Sequence, residues 1–332
     1  MRFKKYSAAA LSMMALALIV GLHGIVPALG AESKKVTIGI AQWGSSPDYE
    51  KNIEGFKAGL QESGYTEGKN VTTLVKNADT NFYQQVQNVE FFVKNKVDLI
   101  YALTTPGALA AKSVTKNIPI VFSIVTYPVE AGIIESLDSS GNNLTGTRNY
   151  IPPTRQYFYF EQIYPGTKNL AFVHHKGESN SDIQYRQFKE LLAKRKVVVH
   201  DIAAVSLEDM RSQLESSIEK FDSVYSACDT LIQTGGGEIV SSLSQKYKKP
   251  NFVCTEDGVQ KGALMGTLAD FYQIGKISGQ KAALILRGMA PTNIITESSR
   301  EDSIVVNIKT AQKLGLFVPK TLLDKAKRVI DQ

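Results

Sequence analysis

The sequence predicts an α/β protein of two doubly wound parallel-sheet lobes joined by a hinge. Three observations lead there. From Val36 onward, short β-branched runs alternate with amphipathic stretches, the signature of right-handed βαβ units. The alternation breaks once, between Ser136 and Pro153, and then resumes with the same plan. Finally, 332 residues are more than one hydrophobic core comfortably covers.

In chain order, strands are expected at Val36–Ala41, Val71–Lys76, Asp98–Leu103 and Ile118–Val125. Helices are expected between them near Tyr49–Glu62, Asn81–Lys94 and Pro106–Thr115. The run Ile118-Pro119-Ile120-Val121-Phe122 is apolar throughout, which suits a sheet covered on both faces. The turn cluster Asp138-Ser139-Ser140-Gly141-Asn142-Asn143 and the pair Pro152-Pro153 punctuate the break. Beyond it, strands are expected near Leu170–His174, Val197–Ala203, Ser223–Ala227 and Asn251–Thr255, with helices near Ser181–Lys194, Leu207–Lys220 and Gly236–Lys246. A last section adds a helix near Phe271–Leu286, a strand near Ile304–Ile308 and a terminal helix. That exceeds what a second lobe needs, so the chain is expected to return to the first. The expected lobes are 31–148 plus about 262–290, and 149–261 plus about 303–332.

The composition is that of an ordinary globular protein, with 43% apolar residues and 38 Lys+Arg against 32 Asp+Glu. Half of the net +6 comes from Arg2, Lys4 and Lys5, so the remaining surplus is too small for a nucleic-acid footprint. Those three residues, the apolar run Ala8 to Val20 and the small-residue site Ala28-Leu29-Gly30 follow the plan of a secretory signal peptide. Residues 1–30 are therefore expected to be removed after Gly30 or Ala31, leaving a periplasmic or extracellular protein that does not span a membrane. An uncleaved anchor is the alternative. Cys228 and Cys254 could pair in an oxidising compartment. Neighbouring parallel strands rarely offer good disulfide geometry, however, and two buried thiols are the expectation.

Enzymatic chemistry has little to stand on. Gly235-Gly236-Gly237-Glu238 lacks the spacing and ending of a P-loop, and no G-x-G-x-x-G follows the first strand. The pair His174-His175 cannot chelate one metal, because adjacent strand residues point to opposite faces. A Gly-x-Ser-x-Gly elbow is also missing. No enzyme, no cofactor and no metal site is expected.

Ligands of doubly wound sheets bind outside the carboxyl ends of the strands, so the residues just after each strand matter most. After the first come Gln42 and Trp43, the only tryptophan. Thr104-Thr105-Pro106-Gly107 follows the third, a helix start whose free N–H groups can receive an anion. Ser123 to Tyr127-Pro128 follows the fourth. In the second lobe Glu178-Ser179-Asn180-Ser181 precedes a helix, Asp229 ends a strand, and Asp270-Phe271-Tyr272 begins the returning helix. Each also has a plain role available, as a helix cap or a packing residue.

These strand ends belong to a wider pattern. Gly64-Tyr65-Thr66-Glu67-Gly68-Lys69-Asn70-Val71, Val97-Asp98-Leu99-Ile100, Thr105-Pro106-Gly107-Ala108 and Pro128-Val129-Glu130-Ala131-Gly132 stand in the first half of the chain. Glu178-Ser179-Asn180-Ser181, Asp229, Gly262-Ala263-Leu264 and the ending Asn307…Ala311…Leu314-Gly315…Pro319 stand in the second. In their order and spacing, from about Val36 to Ile330, they resemble the ABC-transporter substrate-binding protein family that includes tryptophan- and tyrosine-binding members. The resemblance implies a periplasmic-binding-protein type I clamshell that captures a small solute for a membrane permease with a separate ATPase. Carried over by position, the ligand-facing set is Gln42, Trp43, Thr104, Thr105, Ser123, Glu178, Ser179, Asn180, Ser181, Asp229 and Asp270. Tyr127 joins it because this chain has Thr126-Tyr127-Pro128-Val129 where the family usually shows Thr-Asp-Pro-Val. Asp229 is followed by Thr230 where Asn is usual, and Ala269 replaces the usual Gly before the Asp-aromatic pair. The expected function is that of a monomeric importer component binding an aromatic or apolar amino acid. A sensory module presenting its ligand to a membrane receptor or kinase is the alternative.

Overall fold

The computed structural model describes residues 35–299 and 302–331, so the expected signal segment lies outside the described residues. The first lobe opens with β1 (Val36–Gln42), α1 (Pro47–Glu62), β2 (Val71–Asn77), α2 (Phe82–Lys94), β3 (Leu99–Leu103), α3 (Thr105–Val114), β4 (Ile120–Ser123) and β5 (Leu144–Arg148). The second follows with α4 (Pro153–Ile163), β6 (Asn169–His175), α5 (Ser179–Ala193), β7 (Val198–Ala204), α6 (Leu207–Ser217), β8 (Ser223–Ser226), α7 (Gly237–Lys246), β9 (Asn251–Val253), α8 (Glu256–Gln260) and β10 (Met265–Ala269). The chain then crosses back through α9 (Phe271–Leu286) and β11 (Glu297–Ser298). It ends in β12 (Asp302–Asn307), α10 (Ile308–Lys313), α11 (Lys320–Leu323) and β13 (Arg328–Ile330).

Two sheets result, with strand orders β11-β5-β4-β3-β1-β2 and β13-β12-β10-β9-β8-β6-β7. β1 sits between β2 and β3, and β6 between β7 and β8, all parallel. Both halves thus repeat the doubly wound plan. Central strands such as β3 and β4 are buried along their whole length, as sheets with helices on both faces require.

The structure departs from the sequence expectations in five ways. β5 and β10 were not anticipated. β12 runs antiparallel to β10, so the second sheet is mixed. β10 keeps the chain in the second sheet up to Ala269, so the return to the first lobe spans Asp270 to Ser298 rather than 262–290. The expected terminal helix is only the single turn of α11, and the chain closes on β13 beside β12. Cys228 and Cys254, expected as free thiols, form a disulfide with Cα atoms 5.7 Å apart. β8 and β9 end at Ser226 and Val253, so both cysteines lie in the loops past the ladder, where the backbone can turn the sulfurs together.

The returning helix is locked into the first lobe by glycines. Gly55 and Gly59 on α1 face Gly275 and Gly279 on α9, and a Cβ at any of the four would run into the partner's backbone. Bare glycine at one-turn spacing lets the two helices touch. Between them Asn52 is fully buried, donating to Ser123 Oγ at 3.0 Å and to the Phe271 carbonyl at 2.9 Å. The N-termini of α1 and α9 are thereby held at the edge of the cleft.

Candidate functional site

The lobes meet along the carboxyl ends of β1, β3, β4, β6, β8 and β9. Trp43, just past β1, is 4% exposed and donates its indole N–H to Thr230 Oγ1 of the second lobe at 2.9 Å. Gly107, at the start of α3, lies against the same ring: a Cβ there would sit 3.8 Å from Trp43 Cε3. Thr104 Oγ1 accepts the Gly107 N–H at 3.4 Å and caps the helix. Its backbone is strained, with φ +68° and ψ 165°, and Ile124 after β4 also has φ +58°. Neither conformation suits a β-branched residue. Strain at the ends of two adjacent strands, both facing the cleft, is the kind of cost that folds retain at binding sites.

Below Thr230 lies a charged network of the second lobe. The Thr230 N–H approaches the Glu178 carboxylate at 3.2 and 3.3 Å, and His175 Nδ1 lies 3.1 Å from Glu178 Oε2. Asp229, 1% exposed, accepts the His175 N–H at 2.7 Å through Oδ2 and the Ile232 N–H at 2.9 Å through Oδ1. Burial, then the charge of Glu178, pushes the Asp229 carboxyl up to about 6. The hydrogen bond to Glu178 raises His175 above its ordinary range. Across the cleft, burial first and then Glu178 and Asp229 push the Tyr49 phenol far up. Asn180, 5% exposed, donates to the Cys228 carbonyl at 3.1 Å while its Oδ1 has no partner.

The expected residues therefore divide. Trp43, Glu178, Asn180 and Asp229 gather around Thr230 where the lobes touch, and Thr104 and Thr105 are buried at the start of α3, beside the Gly107 that the Trp43 ring approaches. Ser123 is buried inside the first lobe, bonded to Asn52 and Thr147. Ser181 is fully buried, and its hydroxyl donates to the carbonyls of His175 and Glu178. Ser179 opens α5. Gln42 folds back on the Gly44 carbonyl at 2.9 Å. Tyr127 is 1% exposed, with its ring against Tyr150 and its hydroxyl donating to Gln187 Oε1 of α5 at 3.0 Å, a second bond between the lobes. Asp270 caps α9 and approaches Lys327 at 3.3 Å, in the wall of an inter-lobe opening of about 410 Å³. Asp48 and Lys51 of α1 line that opening opposite Glu256. Burial, with Glu256 and Asp257 adding to it, raises the Asp48 carboxyl to about 6.

Sequence reasoning missed one part of the site. Where the lobes meet the crossing segments, a small cavity of about 10 Å³ is lined by Thr126, Asn149, Gln156, Gln184, Phe271 and the Cys228–Cys254 disulfide, among others. Among the described residues none of those lining it carries a charge. Gln156 and Gln184 lie on the buried faces of α4 and α5. A polar residue on the apolar face of a helix was the available signal.

The comparisons agree with this geometry. A family model described as ABC transporter substrate binding protein matches residues 37–330. The tyrosine-binding protein of Clostridioides difficile is 30% identical over 283 residues, covering 85% of this chain and 82% of its own. The chain superposes on a domain from Streptococcus pneumoniae in complex with L-Trp with a TM-score of 0.85, at 26% identity, covering 90% of this chain and all of that one. The ligand-free, open form of a substrate-binding protein with adhesive properties from Clostridium difficile gives 0.71 at the same identity and the same coverages. Equal identity with a lower score for the open form is what contact between the two lobes here would produce. The fold is the periplasmic-binding-protein type I clamshell, and the matching family binds solutes rather than transforming them. With the family model matched from the first strand to the last, the chain belongs to the ABC transporter substrate-binding protein family.

Proposed function

We propose that this protein is exported by its N-terminal segment, captures an aromatic or apolar amino acid between its lobes, and delivers it to the permease of an ABC importer. The observation that carries the reading is the two-lobed arrangement around Trp43. An indole from the first lobe bonds to the second directly above two buried carboxylates, Glu178 and Asp229. Each Asp229 oxygen accepts one N–H and keeps a second lone pair, so a ligand ammonium can be held by a charge-assisted hydrogen bond. The N-terminus of α3, with Thr104 and Thr105, offers N–H groups to a carboxylate. Trp43 and Phe271 supply apolar faces. A ligand that touches both lobes favours the closed form by its differential contacts, and closure is then a signal that a permease can read.

The relatives named for tyrosine and bound to L-Trp support an aromatic amino acid. The test is a thermal-shift panel of the common amino acids, followed by calorimetry on those that shift. A ligand at 100 times its dissociation constant adds about 2.7 kcal/mol to stability. Tyrosine, tryptophan or phenylalanine should give the largest shifts. A panel in which no amino acid moves the transition overturns the reading.

A further inference from the structure

We propose that Gln184 and Asn149 form a subsite that reads a hydroxyl at the tip of the ligand's side chain, so that the site selects a phenol over an unsubstituted ring. The proposal rests on the amino-acid reading above and assigns the small cavity beside the crossing segments to the far end of that ligand.

The orientation of Gln184 follows from a chain of hydrogen bonds. Gln156 Nε2 donates to the Ile151 carbonyl at 2.7 Å, which fixes that amide with its oxygen toward Tyr225. The Tyr225 hydroxyl gives its single proton to Gln156 Oε1 at 2.7 Å. It can then only accept from Gln184, whose Nε2 donates to it at 2.8 Å. The Gln184 amide is thereby turned with its carbonyl oxygen away from Tyr225, and among the described residues that oxygen has no partner. Asn149, also in the lining, accepts from Thr126 Oγ1 at 2.9 Å through Oδ1, and among the described residues its amide N–H groups have no partner. Both side chains line the cavity, and both residues are less than 8% exposed.

One acceptor and one donor therefore border a space of about 10 Å³, room for roughly one water-sized group. A phenolic hydroxyl is both donor and acceptor, so it satisfies Gln184 and Asn149 at once. An indole N–H satisfies only Gln184. A phenyl ring satisfies neither and leaves two buried amide groups unpaired, the situation in which polar sites discriminate most strongly. Among the described residues the lining carries no charge, which directs the zwitterionic end to the carboxylates beside Thr230. Cys228 lines the cavity and Asp229 follows it in the chain, so the proposal sets the head group at Asp229 and the tip of the side chain here.

The test compares the affinities of tyrosine, phenylalanine and 4-aminophenylalanine for the intact protein by calorimetry. Tyrosine should bind at least about tenfold more tightly than phenylalanine. The amino analogue, which keeps a donor at the tip, should lie nearer tyrosine. In Gln184→Leu the ratio of tyrosine to phenylalanine should fall to about threefold or less. The ligand comparison on the unaltered protein stands even if that variant folds poorly. Phenylalanine binding as tightly as tyrosine overturns the subsite and leaves the amino-acid reading intact. Failure of all three ligands to bind overturns the subsite, and the amino-acid reading falls with it only if the full panel of amino acids also fails to shift the transition.

Discussion

The indole N–H of Trp43 donates to Thr230 Oγ1 at 2.9 Å, a hydrogen bond between residues 187 apart in sequence that joins one lobe to the other. Trp43 is also the only tryptophan of the chain, so its emission reports on this contact without interference. Both partners are buried, Trp43 at 4% and Thr230 at 6% exposure. Any parting of the lobes must break the bond and wet the ring.

Thr230→Val should remove the acceptor while keeping the shape. A net hydrogen bond is worth about 1 kcal/mol, and the unpaired indole N–H adds to the loss if the cleft still closes. The expected outcome is a shift of Trp43 emission to longer wavelength in the ligand-free protein and about fivefold weaker ligand binding. Trp43→Phe should weaken binding similarly, and the double variant should cost less than the two losses added. Unchanged emission in Thr230→Val would show that closure does not depend on this bond.

The opening on the other flank of the cleft makes a prediction about pH. Asp48 of α1 is raised to about 6 by burial, with Glu256 and Asp257 raising it further and Lys51 opposing them. In the unfolded chain the same carboxyl releases its proton near its ordinary value of 3.8. Its contribution to stability is therefore fully present below about pH 4 and is lost as pH rises through about 6. Asp48→Asn removes that loss. At pH 7.5 the variant should be more stable by on the order of 2 kcal/mol, after allowance for the charge it removes from a helix N-terminus. The gain should vanish at pH 4. Thermal denaturation of both proteins at the two pH values decides it, and an equal gap at both would refute the assignment.

How much of this was legible in the sequence depends on what each residue packs against. β3 and β4 were legible because strands covered on both faces must be apolar throughout. β5 escaped because its residues, Leu144 to Arg148, are mostly small and polar; the Thr145 and Thr147 hydroxyls are satisfied by carbonyls and hydroxyls of the returning segment, contacts that no local pattern encodes. β10 escaped in the same way, with Gly266 and Thr267 diluting its apolar character. In the site, Trp43 and Asp229 stood out as unusual residues at strand ends. Gln184 and Asn149 did not, because a glutamine inside a helix and an asparagine in a crossing segment normally face water. The disulfide escaped because both cysteines fall near the ends of neighbouring parallel strands, where bridges are rare, whereas the ladder stops two residues before Cys228 and one before Cys254.

Thr104 supports a prediction in which glycine outperforms alanine. Its φ of +68° with ψ of 165° lies where only glycine is unstrained, and a residue held there costs on the order of 1–3 kcal/mol. Its side chain offsets part of that cost by capping α3 through the Gly107 N–H. Thr104→Ala keeps the strain and loses the cap, which typically costs about 1 kcal/mol. Thr104→Gly also loses the cap oxygen but relieves the strain, and glycine is itself tolerated at a helix N-cap. The order of stability should therefore be Gly at or above the parent, and Ala below both. At an unstrained N-cap glycine already exceeds alanine and falls a few tenths of a kcal/mol short of threonine, so it is glycine exceeding the parent that reports the strain. Ligand affinity should fall in both variants, because the hydroxyl at the N-terminus of α3 is gone from each. Denaturant unfolding gives the first comparison and calorimetry the second. Alanine more stable than glycine would mean that position 104 is not strained in solution, and that the turn after β3 relaxes when no ligand presses on it.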